Sequence, residues 1–240
     1  MLFFMGPGLP LLALYVAAAL LPAIVLLRYI YRNDTVEKEP MGLLLQLLGL
    51  GVAAALCAGV IEGLAQTVLN RLVDPASPAY VVLLAFLVVA LAEEGAKLFF
   101  LRRRTWREPA FNYRFDGIVY AVFVSLGFAA FENVQYILRY GLSVALPRGL
   151  LAVPGHMSFA VVMGVFYSQA KFRENRGDKR GCHQALWSGY LAAVSLHGFY
   201  DACALIGSGL STALFLIFVA WMFRMAYRLV KRESAADSPV

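Results

Sequence analysis

Six carboxylates and imidazoles, with one lysine, stand in stretches of this chain that are otherwise apolar. Glu93, Glu94 and Lys97 occupy AEEGAK, Glu132 and Asn133 occupy GFAAFEN, His156 occupies PGHMSF, and His197 and Asp201 occupy LHGFYD. No Ser or Cys sits beside them in a nucleophile motif, so the chemistry that fits is activation of water. A buried carboxylate beside a second one can take a proton from water. An imidazole can orient that water or stabilise the oxyanion formed at a peptide carbonyl. Glu132, His156 and His197 could equally hold a zinc ion, with one position open for water. The residue types leave both routes open.

Each feature taken singly has a plainer explanation. Glu93 and Lys97 are four residues apart and could be an ion pair on one helix face. His197 and Asp201 share that spacing and could be a hydrogen bond between helices. A lone His156 is commonly a satisfied core histidine. Glu62 and Gln66 are read as interhelical packing. Asp116 is read as structural, closing the start of a helix. Six such groups on four apolar segments would be a heavy cost for packing alone, and ionisable residues within a membrane are functional candidates.

The segments that carry them are long enough to cross a bilayer. The 240 residues are 61% hydrophobic and only 15% charged, with a mean hydropathy of +0.70. A soluble domain carries about a quarter charged residues. A hydrocarbon core about 30 Å thick needs about 20 helical residues. Seven runs qualify: residues 9–31, 41–69, 80–101, 115–138, 149–170, 184–206 and 209–227. All are expected to be helical, because open strands cannot satisfy their backbone groups in lipid. Pro40, Pro75, Pro78, Pro109 and Pro147 fall between them, as helix punctuation should. The reading is an all-α integral membrane bundle of about seven helices around a buried polar site. It forms one domain over residues 1–240, with a solvated loop at 171–183 and a tail at 228–240.

Lys and Arg alternate by side. Seventeen fall in the first, third and fifth loops and at the C-terminal end, against three on the other side, Arg71, Arg139 and Arg148. Positive residues mark the cytoplasmic side, which puts the C-terminus inside and the N-terminus outside. The same distribution explains the net charge of +6 without nucleic acid. Cys57, Cys182 and Cys203 have no metal-ligand spacing. The leading MLFFMGPGLP lacks the basic region of a secretory signal and reads as part of an uncleaved first span.

Four strings in this order resemble the PrsW family of intramembrane proteases, in a superfamily with the type II CAAX prenyl endopeptidases. They are Glu93-Glu94-x-x-Lys97, then Phe115-Asp116-Gly117 leading to Gly127-Phe128-x-x-x-Glu132-Asn133, then His156, then His197-x-x-x-Asp201. The resemblance covers residues 92–201. The prenyl endopeptidases carry His where Glu132 stands, and Asn is common in place of Asp201, which favours the PrsW branch. It implies a peptidase in a bacterial inner membrane that cuts a membrane-anchored protein near the outer face, such as a single-span anti-sigma factor. It implies Glu93 and Glu94 as the water-activating pair, with His197, Glu132, His156 and Asp201 completing the site. Glu93 is expected as general base and Glu94 as its neighbour, although their order could be reversed. Asp201 would hold His197, and Asn133 would donate to the tetrahedral intermediate. A metal-free glutamate mechanism is favoured over a single Zn2+, since the two glutamates supply a base unaided. The rival readings are a proton-coupled transporter and a non-enzymatic scaffold or immunity protein.

Overall fold

A computed structural model describes residues 8–240. Residues 1–7, most of the leading apolar string, lie outside the described residues. Seven helices among those described are long and apolar enough to cross a membrane. They are α1 (Leu9–Asn33), α2 (Met41–Leu72), α3 (Pro78–Thr105), α4 (Arg114–Tyr140), α5 (Leu142–Asn175), α6 (Lys179–Ile206) and α7 (Gly209–Ala235). No strand occurs among the described residues, only an isolated bridge between Tyr113 and Pro239. The chain is an all-α integral membrane protein.

Short polar residues start several helices by satisfying amides that have no intrahelical partner. The Ser77 hydroxyl accepts from the Tyr80 amide at 3.2 Å, Asp178 from Gly181 at 2.8 Å, and Ser208 from Ser211 at 3.1 Å. Gly207, at φ +64°, supplies the left-handed residue that reverses the chain between α6 and α7.

The helices overrun the apolar runs mainly at their basic ends. The polar stretch expected as a loop at 171–183 is largely helical, turned only by Arg176–Asp178, and the tail remains helical to Ala235. A helix leaving the hydrocarbon keeps its internal hydrogen bonds in water, and cations in its last turn suit the helix dipole.

The most buried helices are α4 and α5, while α1 and α7 face outward. Lipid tails supply no hydrophobic drive for association, so the bundle depends on close van der Waals packing. At the crossing of α2 and α4, a Cβ on Gly51 would overlap the Val124 carbonyl and one on Gly127 would overlap that of Leu48. Only glycine lets these backbones approach so far.

At the basic end, the α1–α2 turn is tied to α4. Glu39 is buried and accepts the Tyr120 hydroxyl. Burial pushes its carboxyl up to about 7 and that of Asp34 up to about 6. The C-terminal segment clips onto the start of α4, where Asp237 accepts from the Phe115 amide at 2.9 Å.

Candidate active site

Two of the four helices that bring the polar groups are irregular just before them. In α3, residues Leu84–Ala90 form a π-helical segment ahead of Glu93, Glu94 and Lys97. In α5, residues Arg148–Ala152 do the same ahead of His156. Such segments are rare and favour functional sites. Phe86, within the first of them, packs against Gly198, where a Cβ would collide with its ring. That contact seats α3 against α6 beside His197.

The groups then meet in one unbroken chain. His197 Nε2 lies 3.4 Å from Asp201, and its Nδ1 lies 2.9 Å from Glu94 Oε1. Lys97 Nζ donates to that same Oε1 at 2.7 Å and to Glu93 Oε2 at 3.0 Å. It also lies 3.1 Å from His156 Nδ1. The other nitrogen of His156 is 3.1 Å from Glu132 Oε2, which Arg148 meets at 2.9 Å. Glu93, Glu94, Lys97, His156 and His197 are all buried. Aromatic rings wall the chain: Phe159 stacks on His197 at 4.7 Å, and the Phe128 ring lies 4.0 Å from the Lys97 ammonium.

Beside the chain is a cavity of about 520 Å³ lined by Glu93, Glu132, His156, His197 and Asp201, together with Glu62. Glu94 and Lys97 do not line it. They lie behind Glu93 and hold it and His197 in place. Two residues of this cavity were not expected there. Glu62, assigned to packing, faces the site. Arg148, assigned to topology, is the cation that pairs Glu132. The usable signal was its position, since it is one of only three cations on the charge-poor side.

Two residues of the motifs stand elsewhere. Asp116 accepts from the amides of Tyr113, at 2.7 Å, and Asn112, at 3.0 Å, capping α4. It is sixteen residues from Glu132, or about 24 Å along the helix. Asn133 is buried with its amide donating to the Ala19 carbonyl at 2.8 Å and its oxygen accepting from Arg148 at 3.1 Å. It ties α4 to α1 and is not part of the cavity wall.

The donors suit a metal ion in type and spacing. One ligand atom each from Glu93, Glu94, His156 and His197 lie within 4.8 Å of one another. This set has the two third-helix glutamates in place of Glu132. Glu94 Oε2 is buried without a hydrogen-bond partner, leaving a lone pair free. Lys97 touches three of the four residues, so metal binding would require its ammonium to withdraw from some of these contacts.

Fold and site together define a polytopic membrane protein with a cavity-facing acid–imidazole centre, an arrangement suited to hydrolysis within the bilayer. The family model described as PrsW family intramembrane metalloprotease matches residues 39–227. The chain belongs to this family and is a membrane-embedded peptidase. It is 35% identical over 226 residues to the Protease PrsW of Geobacillus kaustophilus, covering 93% of this chain and 94% of that one. It is 35% identical to that of Shouchella clausii, with 78% and 81% covered, and 32% identical to that of Bacillus subtilis, with 78% and 80% covered. No solved structure matches the chain. Membership favours the peptidase over the transporter and scaffold readings.

Proposed function

We propose that the chain hydrolyses a peptide bond of a membrane-anchored protein, with Glu93 as the base that activates water. The observation that carries this reading is the division of the paired glutamates. Glu93 faces the cavity, whereas Glu94 is engaged by Lys97 and His197. A base must reach the water, and its partner must hold the base in position. His197 is held through Nδ1 by Glu94, and its Nε2, 3.4 Å from Asp201, is the nitrogen that orients the water or the developing oxyanion. His156 and Glu132 form the opposite wall, and Glu93, having taken the proton from water, can return it to the leaving amine.

The family description also names a metal. Of the candidate donors, Glu94, His156 and His197 would hold it, leaving Glu93, which faces the cavity, free to act on water. When bound, such an ion acts as a Lewis acid and acidifies its water. The residues' own tasks stay the same: Glu93 manages the proton, His197 and Asp201 fix geometry, and the buried walls restrict bulk water.

The substrate is a single-span regulator of the anti-sigma type, cut near the outer face. The protein lies in a bacterial inner membrane with its C-terminus in the cytoplasm. The excess of Lys and Arg at one end of the bundle supports that orientation. The test is co-expression with a tagged single-span substrate. Glu93→Gln and His197→Ala should each lower cleavage by at least about a hundredfold, with protein levels intact. If both variants cut normally, the assignment is wrong.

A further inference from the structure

A second cavity, of about 800 Å³, lies at the basic end between the close of α3 and the start of α6. It shares no lining residue with the acid–imidazole cavity. Its rim carries Arg102, Arg103 and Arg107, all exposed. Among the described residues none of the three has a carboxylate within ion-pairing distance. The one acid on the rim, Glu108, is already held by Arg104 at 2.5 Å. Below the arginines the wall turns apolar, with Phe99 62% exposed and Trp187 61% exposed. The groove is therefore cationic where the helices leave the hydrocarbon and apolar and open sideways where they enter it.

We infer that this groove binds one anionic phospholipid, its phosphate on Arg102, Arg103 and Arg107 and an acyl chain along Phe99 and Trp187. Basic residues at the end of any span attract lipid headgroups in general. What differs here is a concave site of ligand size lined by three arginines that have no carboxylate partner among the described residues. Arginine's fork of donors suits a phosphate oxygen pair better than a point charge does. A soluble anion would use the rim but leave the apolar wall uncovered. An acidic peptide would have to do without the acyl contacts. The lipid alone satisfies both halves. The inference is independent of the hydrolytic reading.

The chain's three tryptophans make the test direct. Trp106 and Trp187 line this groove, and Trp221 lies on α7 beside Arg224 and Arg228. The full-length protein is reconstituted in phosphatidylcholine vesicles containing a few per cent of lipid with brominated acyl chains, which quench nearby tryptophan. Brominated phosphatidylglycerol should quench more strongly than brominated phosphatidylcholine, and Trp187→Phe should remove most of the difference. At about fivefold per arginine, the combined Arg102→Gln, Arg103→Gln and Arg107→Gln variant should lower the phosphatidylglycerol preference by about a hundredfold. Arg224→Gln with Arg228→Gln should leave it unchanged. Unfolding of the triple variant, followed by temperature, verifies that it is folded. The measurement on the unaltered protein stands even if it is not.

Equal quenching by the two lipids in the parent would overturn the proposal. So would an undiminished preference in a folded triple variant. Displacement of the brominated lipid by millimolar glycerol phosphate would make this a soluble-anion site. Displacement by an acidic peptide at similar concentration would make it a protein-docking site. Either result would also overturn the lipid assignment.

Discussion

Replacing Lys97 by methionine keeps most of the side-chain volume and removes one charge from the centre of the polar chain. The Lys97 side chain is 2% exposed, and its ammonium donates to Glu93 at 3.0 Å and Glu94 at 2.7 Å. It also lies over the Phe128 ring. Taking one partner from a buried ion pair costs about 3–5 kcal/mol, because the charge left behind is uncompensated. At about 2–4 °C per kcal/mol for a chain of this size, the unfolding temperature should fall by about 10 °C. The assay is tryptophan-monitored unfolding of the purified protein in one fixed detergent.

A second substitution separates this account from a simple packing defect. Glu93→Gln in the methionine background removes the carboxylate whose hydrogen bond came from Lys97 and should recover about half of the loss. The double-mutant cycle would then show a coupling well above the few tenths of a kcal/mol expected of independent sites. Zinc supplies a third comparison. With the ammonium gone from three of the four candidate donors, Zn2+ should raise the unfolding temperature of Lys97→Met more than that of the parent. Cleavage should fall at least about tenfold, because Glu93 is no longer held in position. The reasoning is refuted if Lys97→Met unfolds at the parent temperature, or if the two substitutions are additive.

Arg148→Gln breaks the 2.9 Å pair with Glu132 and the contact to Asn133; cleavage should fall about 10- to 100-fold, and unchanged rates would remove Arg148 from the site. Glu39 gives a pH signature at the basic end. Its carboxyl is raised by burial to about 7, so the folded state favours the protonated form. The associated stability is complete below the ordinary carboxylate range and is lost as pH rises through about 7. Glu39→Gln should therefore flatten the fall in unfolding temperature between about pH 5 and about pH 8; identical slopes would refute it.

The bundle was legible because the bilayer imposes its length on every crossing element. All seven apolar runs became helices, and their ends moved mostly at the basic end, where lipid no longer sets the limit. The polar motifs were legible for a related reason, since Glu93, Glu94, Lys97, Glu132, His156, His197 and Asp201 each stand out against apolar neighbours. Glu62 and Arg148 did not stand out. Glu62 sits beside Gln66, which does pack between helices by reaching Tyr80, and a pair of polar residues gives no sign that its members face different ways. Arg148 lies next to a loop, where an arginine has an ordinary explanation. Asn133 adjoins Glu132, but neighbours on a helix point about 100° apart. The resemblance implied a role for Asn133 beside Glu132, whereas its amide turns to α1.

The π-helical segments were also invisible in the sequence, and they explain why EExxK has little meaning by itself. A π-turn admits an extra residue, so everything beyond it is rotated by about 100° relative to an uninterrupted α-helix. Glu93 and Glu94 lie just past one such segment and His156 just past another. The face on which each group appears thus depends on an irregularity that no local pattern reveals. Weakened backbone pairing is tolerated in a membrane only where protein or a cavity covers it, and here Phe86 is covered by Gly198 on α6. The same contact that shelters the irregular turn also places His197 level with the glutamates it must meet. Position in this site is therefore a property of pairs of helices, which is why motifs on four successive spans carry a meaning that none of them has alone.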